Sequence, residues 1–136
     1  MAATLLDTDL LSELLKQKNA NVVQHAAGYL AQYGRFSLSA LTRYEVRRGL
    51  LHKQATAQLG RFEVFCQQSL VLPITDAILD RAADLWVHAI TIGQPKADAD
   101  LIIAATALEH GFVLATGNTP HFAWVPGLTI VDWRQP

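Results

Sequence analysis

Charge excess, sulfur and long apolar runs are all scarce in this 136-residue chain. Eleven Lys and Arg stand against twelve Asp and Glu, a net charge of −1. That balance excludes a protein that coats nucleic acid with a strongly basic surface, but not an enzyme that meets nucleic acid through a local patch. Cys66 is the one cysteine, so neither an internal disulfide nor a Cys-based zinc site can form. A single thiol fits a reducing compartment, and the cytoplasm is the expected location. No apolar stretch approaches the roughly 20 residues of a membrane span. The amino terminus has no basic region and Asp7 interrupts its apolar run, so no signal peptide and no membrane association are expected. The five His show no HxxxH-type spacing, which argues against zinc, and no G-x-G-x-x-G follows the first strand, which argues against a dinucleotide. Linkers, repeats and low-complexity segments are also missing, leaving one domain over residues 1–136.

What is present is core. Hydrophobic residues make up 51% and charged residues 17% of the chain, the composition of a compact globular protein of ordinary size. Residues 3–6 read as a short buried strand, and LLSELLKQ follows with helical spacing through Leu10, Leu11, Leu14 and Leu15. A helix is expected over 20–33, a strand at RFSLS, and a helix over 40–52. Further helices are expected near 55–68 and 76–92, separated by the apolar run LVLPI. Thr75 is placed to cap the second of these, whose apolar face is Ile78, Ala82, Leu85, Trp86 and Ala89. A buried helix starts at Asp98 or Asp100 and runs to His110, with Gly111 ending it. FVLAT and LTIVDW read as two more strands. Strands alternating with helices predict an α/β fold, a three-layer α/β/α sandwich with a mostly parallel sheet. Such sheets place ligands beyond the carboxyl ends of their strands.

Three acids lie next to these apolar segments. Asp7 closes AATLLD, Glu45 sits in SLSALTRYEVRRGL, and Asp100 opens DLIIAATALEHG. An unpaired buried carboxylate costs several kcal/mol or neutralises itself, so isolated acids beside core segments need a reason. Brought together, they would form an oxygen-rich site for Mg²⁺ or Mn²⁺. Each also has a purely structural reading: Asp7 as a helix N-cap, Glu45 paired with Arg48, and Asp100 as a cap.

Taken in order, LLDTDLLSELL, LTRYEVRRGL, DLIIAATALEHGFVLATGNTPHF and VPGLTIVDW resemble the PIN-domain ribonucleases, and within them the VapC toxins of bacterial toxin–antitoxin pairs. The resemblance spans nearly the whole chain, and the order and spacing of the segments carry it. It implies a metal-dependent endoribonuclease acting on structured RNA, restrained by a cognate VapB-type antitoxin and assembled as a homodimer. Asp7, Glu45 and Asp100 fall on the family's recurrent metal-site acids, and Thr116 and Asn118 on its T-x-N/D element. The cations would neutralise phosphodiester oxygens and lower the pKa of a bound water. The pattern departs at Asn118 and His121, where many relatives carry an acid. One carboxylate fewer implies a weaker second ion.

The remaining polar residues are open to two readings each. Asp9 and Asp98 either add negative charge to the site or are solvated helix-start acids. Arg43, Arg47, Arg48, His52 and Lys53 either meet RNA phosphates or form a solvated helix face. Trp86, Trp124 and Trp133 are read as packing residues, and His121, beside Phe122, as part of a packing turn. Two rival functions compete. Asp7 and Asp9 at i and i+2 after a strand suit a haloacid-dehalogenase-like phosphohydrolase, though a matching later Lys is hard to find. A non-catalytic α/β interaction module would instead use its acids structurally and bind no metal.

Overall fold

The computed structural model describes residues 2–136, in which strands and helices alternate. Their order is β1 (Thr4–Leu6), α1 (Thr8–Lys16), α2 (Ala20–Tyr33), β2 (Ser37–Ser39), α3 (Ala40–His52), α4 (Thr56–Gln67), β3 (Leu70–Leu72), α5 (Asp76–Thr91), α6 (Asp98–His110), β4 (Val113–Ala115) and β5 (Ile130–Val131), with a 3₁₀ turn at Thr119–His121. The five strands form one sheet in the order β3-β2-β1-β4-β5, and every pairing is parallel. Leu6 lies opposite both Leu38 and Ala115, and Leu5 opposite Leu114.

Because successive strand side chains point to opposite faces, this register builds two cores. Leu6, Leu38 and Ala115 pack with Leu10, Leu14, Val22, Tyr29 and Phe62 from the helices of one face. Leu5, Leu72 and Leu114 pack with Ile78, Leu85, Leu101 and Ile103 of α5 and α6 on the other. The result is an α/β/α sandwich. At about 1.5–3 kcal/mol for each fully buried Leu or Ile, these two layers supply the main folding drive.

Local signals fix the helix limits. Asn19 Oδ1 accepts from the Asn21 and Val22 amides at 3.0 and 3.2 Å, Ser39 Oγ from Leu41, and Thr75 Oγ1 from Ile78 at 3.2 Å. Gly111 ends α6 at φ +68°, a conformation that costs a side chain about 1–2 kcal/mol. Replacing Thr75 by Ala should therefore cost about 1 kcal/mol, read as a lower urea midpoint with an unchanged slope.

The sheet differs from the sequence expectation in detail. LVLPI contains a strand, β3, and only Ile130–Val131 of LTIVDW pairs in the sheet. Trp86 is 49% exposed and so does not belong to the α5 core face, which consists of Ile78, Ala82, Leu85 and Ala89. It sits one residue past Leu85, and a helix turns about 100° per residue, enough to swing its ring off the α6 contact. Trp133 does pack, at 3% exposure. No helix among the described residues is long and apolar enough to cross a membrane.

Candidate metal and nuclease site

Strand order reverses beside β1, since the chain reaches β2 and β3 on one side and β4 and β5 on the other. A crevice opens at the carboxyl ends of strands where such a reversal occurs. Asp7 is the first residue after β1 and Thr116 the first after β4. The Asp7 amide donates to Ala115 O at 2.9 Å, which extends the β1–β4 ladder one step to the rim.

The Asp7 carboxylate is held on both oxygens. Oδ1 accepts from the Thr8 amide at 2.7 Å, which caps α1, and Oδ2 accepts from Thr116 Oγ1 at 2.7 Å. The Asn118 amide donates to Thr116 Oγ1 at 3.0 Å and so orients that hydroxyl. Asp7 is only 5% exposed, and its carboxyl is pushed up to about 6 from 3.8. Burial is the main cause and the charges of Asp9 and Asp100 add to it, while the hydrogen bonds from Thr116 and Thr8 oppose it. Asp7 is therefore an N-cap that also stands at the crevice.

Glu45 reaches the same rim from α3. Its Oε1 accepts from Thr8 Oγ1 at 2.8 Å, and its Oε2 lies 3.9 Å from Arg48, a loose contact. Thr42 Oγ1 lies 3.1 Å from the Thr8 hydroxyl. Thr8 thus links Asp7 through its amide and Glu45 through its hydroxyl.

Asp100 stands in the first turn of α6, where the helix dipole favours an acid, but it is not the cap: that position is Ala97, with no side-chain hydrogen bond. Burial raises its carboxyl above the usual value, opposed by His121 and Lys96 and helped by Asp9. His121 Nδ1 lies 3.4 Å from Asp100 Oδ2, with the imidazole more than half exposed. The packing role expected for this turn belongs to Phe122, which is buried. Asp9 is exposed but acts electrostatically on both Asp7 and Asp100, whereas Asp98 is a solvent-facing helix-start acid.

These contacts bring Asp7, Thr116, the Asn118 backbone and Glu45 into one hydrogen-bonded chain and place Asp100 within electrostatic range of Asp7. They stop short of a closed cage. Among the described residues, no three His, Cys, Asp or Glu side chains are close enough to hold an ion as they stand. The donor chemistry nevertheless fits a hard divalent cation. All three acids offer oxygen, and the charges of Asp9 and Asp100 oppose the ionisation of Asp7, as neighbouring carboxylates do where no cation lies between them.

The basic cluster is partly committed elsewhere. Arg47 and Arg43 both pair with Glu63 of α4, Arg43 at 3.7 Å, while the Arg48 guanidinium lies 5.0 Å from the centre of the Tyr44 ring. Thr8 and Thr42, which link the acids, were not legible in the sequence. Thr8 alone carried a signal, as a hydroxyl directly after Asp7 at a helix start.

Comparison with known proteins identifies the family of this fold. Residues 4–125 match the PIN domain family. The VapC ribonuclease Y4jK of Sinorhizobium fredii is 34% identical, over 96% of this chain and 97% of its own length. The tRNA(fMet)-specific endonuclease VapC of Shigella flexneri is 27% identical, over 98% and 99%. The crystal structure of DNA-bound VapBC from Salmonella typhimurium contains a chain that superposes with a TM-score of 0.87 at 25% identity, covering 98% of this chain and 99% of that one. With a parallel sheet that gathers its acids at the point where strand order reverses, and relatives aligned almost end to end, the chain belongs to the PIN-domain family, among its VapC ribonucleases.

Proposed function

We propose that residues 1–136 form one PIN domain acting as a VapC-type toxin, an endoribonuclease that hydrolyses phosphodiester bonds in structured RNA with Mg²⁺ or Mn²⁺. The observation that carries this reading is the buried Asp7 carboxylate, fixed on both oxygens at the crevice and flanked by Asp100 and, through Thr8, by Glu45. Asp7, Asp100 and Glu45 would hold the cation, with Thr116 and Asn118 as supporting residues. A hard divalent cation there supplies charge neutralisation for an anionic phosphodiester and acidifies water.

The protein's own groups do the rest. Thr116 and the Thr8 amide keep Asp7 aimed out of the sheet, so little rotamer freedom is lost on binding. The Thr8 hydroxyl donates to Glu45 and leaves Glu45 Oε2 available. Arg48 and Lys96 lie near the rim, where a phosphate chain would meet positive charge.

The partner follows from the relatives, whose structures include VapBC complexes. A groove of about 660 Å³ on the α1/α2/α3/α4 side, lined by Leu14, Ala27, Leu30, Val46 and Phe65, also reaches Thr8 and Glu45. It suits an antitoxin segment with an apolar face that continues towards the acids and ends in an Arg or Lys directed at Asp7 and Asp100. Exposed Leu79, Trp86, Val87 and Ile90 on α5 suit a homodimer contact on the other layer. An RNA-directed toxin of this kind would work in the cytoplasm.

Neither rival is favoured. A haloacid-dehalogenase site needs Asp7 and Asp9 to share one pocket, but Asp7 is buried and Asp9 exposed. A purely structural module leaves the buried Asp7 carboxylate, with Asp9 and Asp100 in electrostatic range at the crevice, without a purpose. The deciding experiment is mapping of RNA ends in cells after a short pulse of expression, wild type against Asp7→Asn. New discrete ends with the wild type alone support the reading, and identical end profiles contradict it.

A further inference from the structure

The residues after β5 form a strap that the reading above leaves unused. Trp133 is buried between His25 and Tyr29 of α2, with ring centres 6.0 and 5.8 Å away. Asn21 Nδ2 donates to Arg134 O at 2.8 Å, and His25 Nε2 lies 2.8 Å from Gln135 O. The strap is therefore pinned to α2 across more than a hundred residues of sequence.

This pinning aims one side chain. The Arg134 amide donates to Asp132 Oδ1 at 2.9 Å, and its guanidinium meets both Asp132 oxygens at 3.3 Å, which fixes the fork in one plane. From that plane Nη2 donates to the Gly117 carbonyl. Gly117 is the middle residue of the turn whose first residue, Thr116, holds Asp7 and whose third, Asn118, holds Thr116. A Cβ at Gly117 would lie 3.0 Å from Arg134 Cζ and 3.1 Å from Nε, a tight contact with the guanidinium. The turn and the guanidinium are in direct contact, and a methyl group at Gly117 would require the guanidinium to shift by a few tenths of an ångström.

We propose that Arg134 is a positioning residue of the acidic centre: bridging Asp132 and the Gly117 carbonyl, its guanidinium fixes the 116–118 turn and, through the Thr116 hydroxyl, the Asp7 carboxylate. Arginine suits this task because its planar fork serves two acceptors at once, which a lysine ammonium on a flexible stem does not reproduce. Arg134 also lies within electrostatic range of Asp9 and Glu13 of α1. A simple charge role and a contact to RNA phosphate are thus the competing explanations.

The inference rests on the metal-site reading, and one set of measurements separates the two. Wild type, Arg134→Ala, Arg134→Lys, Asp132→Asn and Gly117→Ala are compared as full chains for melting temperature without metal, Mn²⁺ affinity by calorimetry and by Mn²⁺-dependent melting shift, and kcat and KM for RNA at several salt concentrations. Arg134→Ala should weaken Mn²⁺ binding, by at most the roughly 10- to 100-fold lost when a direct hydrogen-bond partner of a metal ligand is removed. It should lower kcat, while the salt dependence of KM stays as in the wild type. Arg134→Lys should not rescue Mn²⁺ affinity, and Asp132→Asn and Gly117→Ala should move it in the same direction. Wild-type Mn²⁺ affinity in Arg134→Ala, whatever its metal-free melting temperature, overturns the clamp. Rescue by Lys overturns it in favour of charge alone, and an effect confined to KM with a shallower salt dependence overturns it in favour of a phosphate contact. A wild-type chain that binds no Mn²⁺ overturns the metal-site reading and the clamp with it.

Discussion

Asp7→Asn is expected to abolish RNA cleavage, by a factor on the order of 10³ or more in kcat/KM, and at the same time to make the metal-free protein more stable at neutral pH. The two effects have one cause. The Asp7 carboxyl is raised to about 6 by burial, so its ionised form is disfavoured in the folded chain. Between 3.8 and about 6 the folded state binds more protons than the unfolded one, and stability falls as pH rises through that window. Above it the loss is complete and amounts to about 3 kcal/mol for a shift of this size. The amide cannot ionise, so the variant should escape most of that loss and show a flatter profile between pH 4 and 7. The amide oxygen can keep the Thr8 N–H and the amide nitrogen can donate to Thr116 Oγ1, which already accepts from the Asn118 amide, so the Thr116 proton loses its acceptor, which offsets part of the gain. Urea unfolding of both proteins across this range, beside RNA cleavage assays, reads both halves. A variant less stable than the wild type at pH 7 would show that burial does not dominate at Asp7.

Divalent metal should reverse the pH trend. At about a hundredfold excess over Kd, Mn²⁺ or Mg²⁺ should stabilise the wild type by about 2.7 kcal/mol. In a protein of this size that is a rise on the order of 10 °C in melting temperature. The cation needs Asp7 ionised, so protons compete with it below about pH 6, and the shift should shrink between pH 6.5 and 5. Asp100 reinforces the effect in the same direction, its carboxyl being raised by burial above the usual value. Metal-free and metal-bound stabilities should thus converge in acid and diverge above pH 6. The triple amide variant at Asp7, Glu45 and Asp100 should give one curve with and without metal. A metal shift that is independent of pH, or that survives in the triple variant, would place the ion away from these acids.

The helices were legible in the sequence because each carries its own local signals. Thr75 caps α5, Gly111 stops α6, and the 3.6-residue spacing of Ile78, Ala82, Leu85 and Ala89 is complete within one element. Strands of two or three residues carry far less. Leu70–Leu72 is too short to show a period, and the order β3-β2-β1-β4-β5 depends on which helices cross which face. The same division holds at the site. Asp7, Glu45 and Asp100 stood out because each lies beside an apolar run. What joins them did not: the Thr8 to Glu45 bond spans 37 residues, and Thr116 to Asp7 spans 109. Phe122 is buried as a packing turn requires, but nothing in the local sequence indicates that His121 beside it lies on the rim next to Asp100. Arg134 gave no signal: its pair with Asp132 is local, but the contacts that tie it to the site lie on α2 and the β4 turn.

The most direct test of the central claim, that Asp7, Glu45 and Asp100 share one divalent cation, is anomalous diffraction from crystals of the protein grown at about pH 7.5 and soaked in Mn²⁺. The account predicts a manganese peak at the crevice between β1 and β4, with Asp7 and Asp100 oxygens at about 2–2.5 Å and Glu45 bound directly or through one water. A peak elsewhere on the protein, or none at millimolar Mn²⁺ with Asp7 still bound only to Thr8 and Thr116, would contradict it.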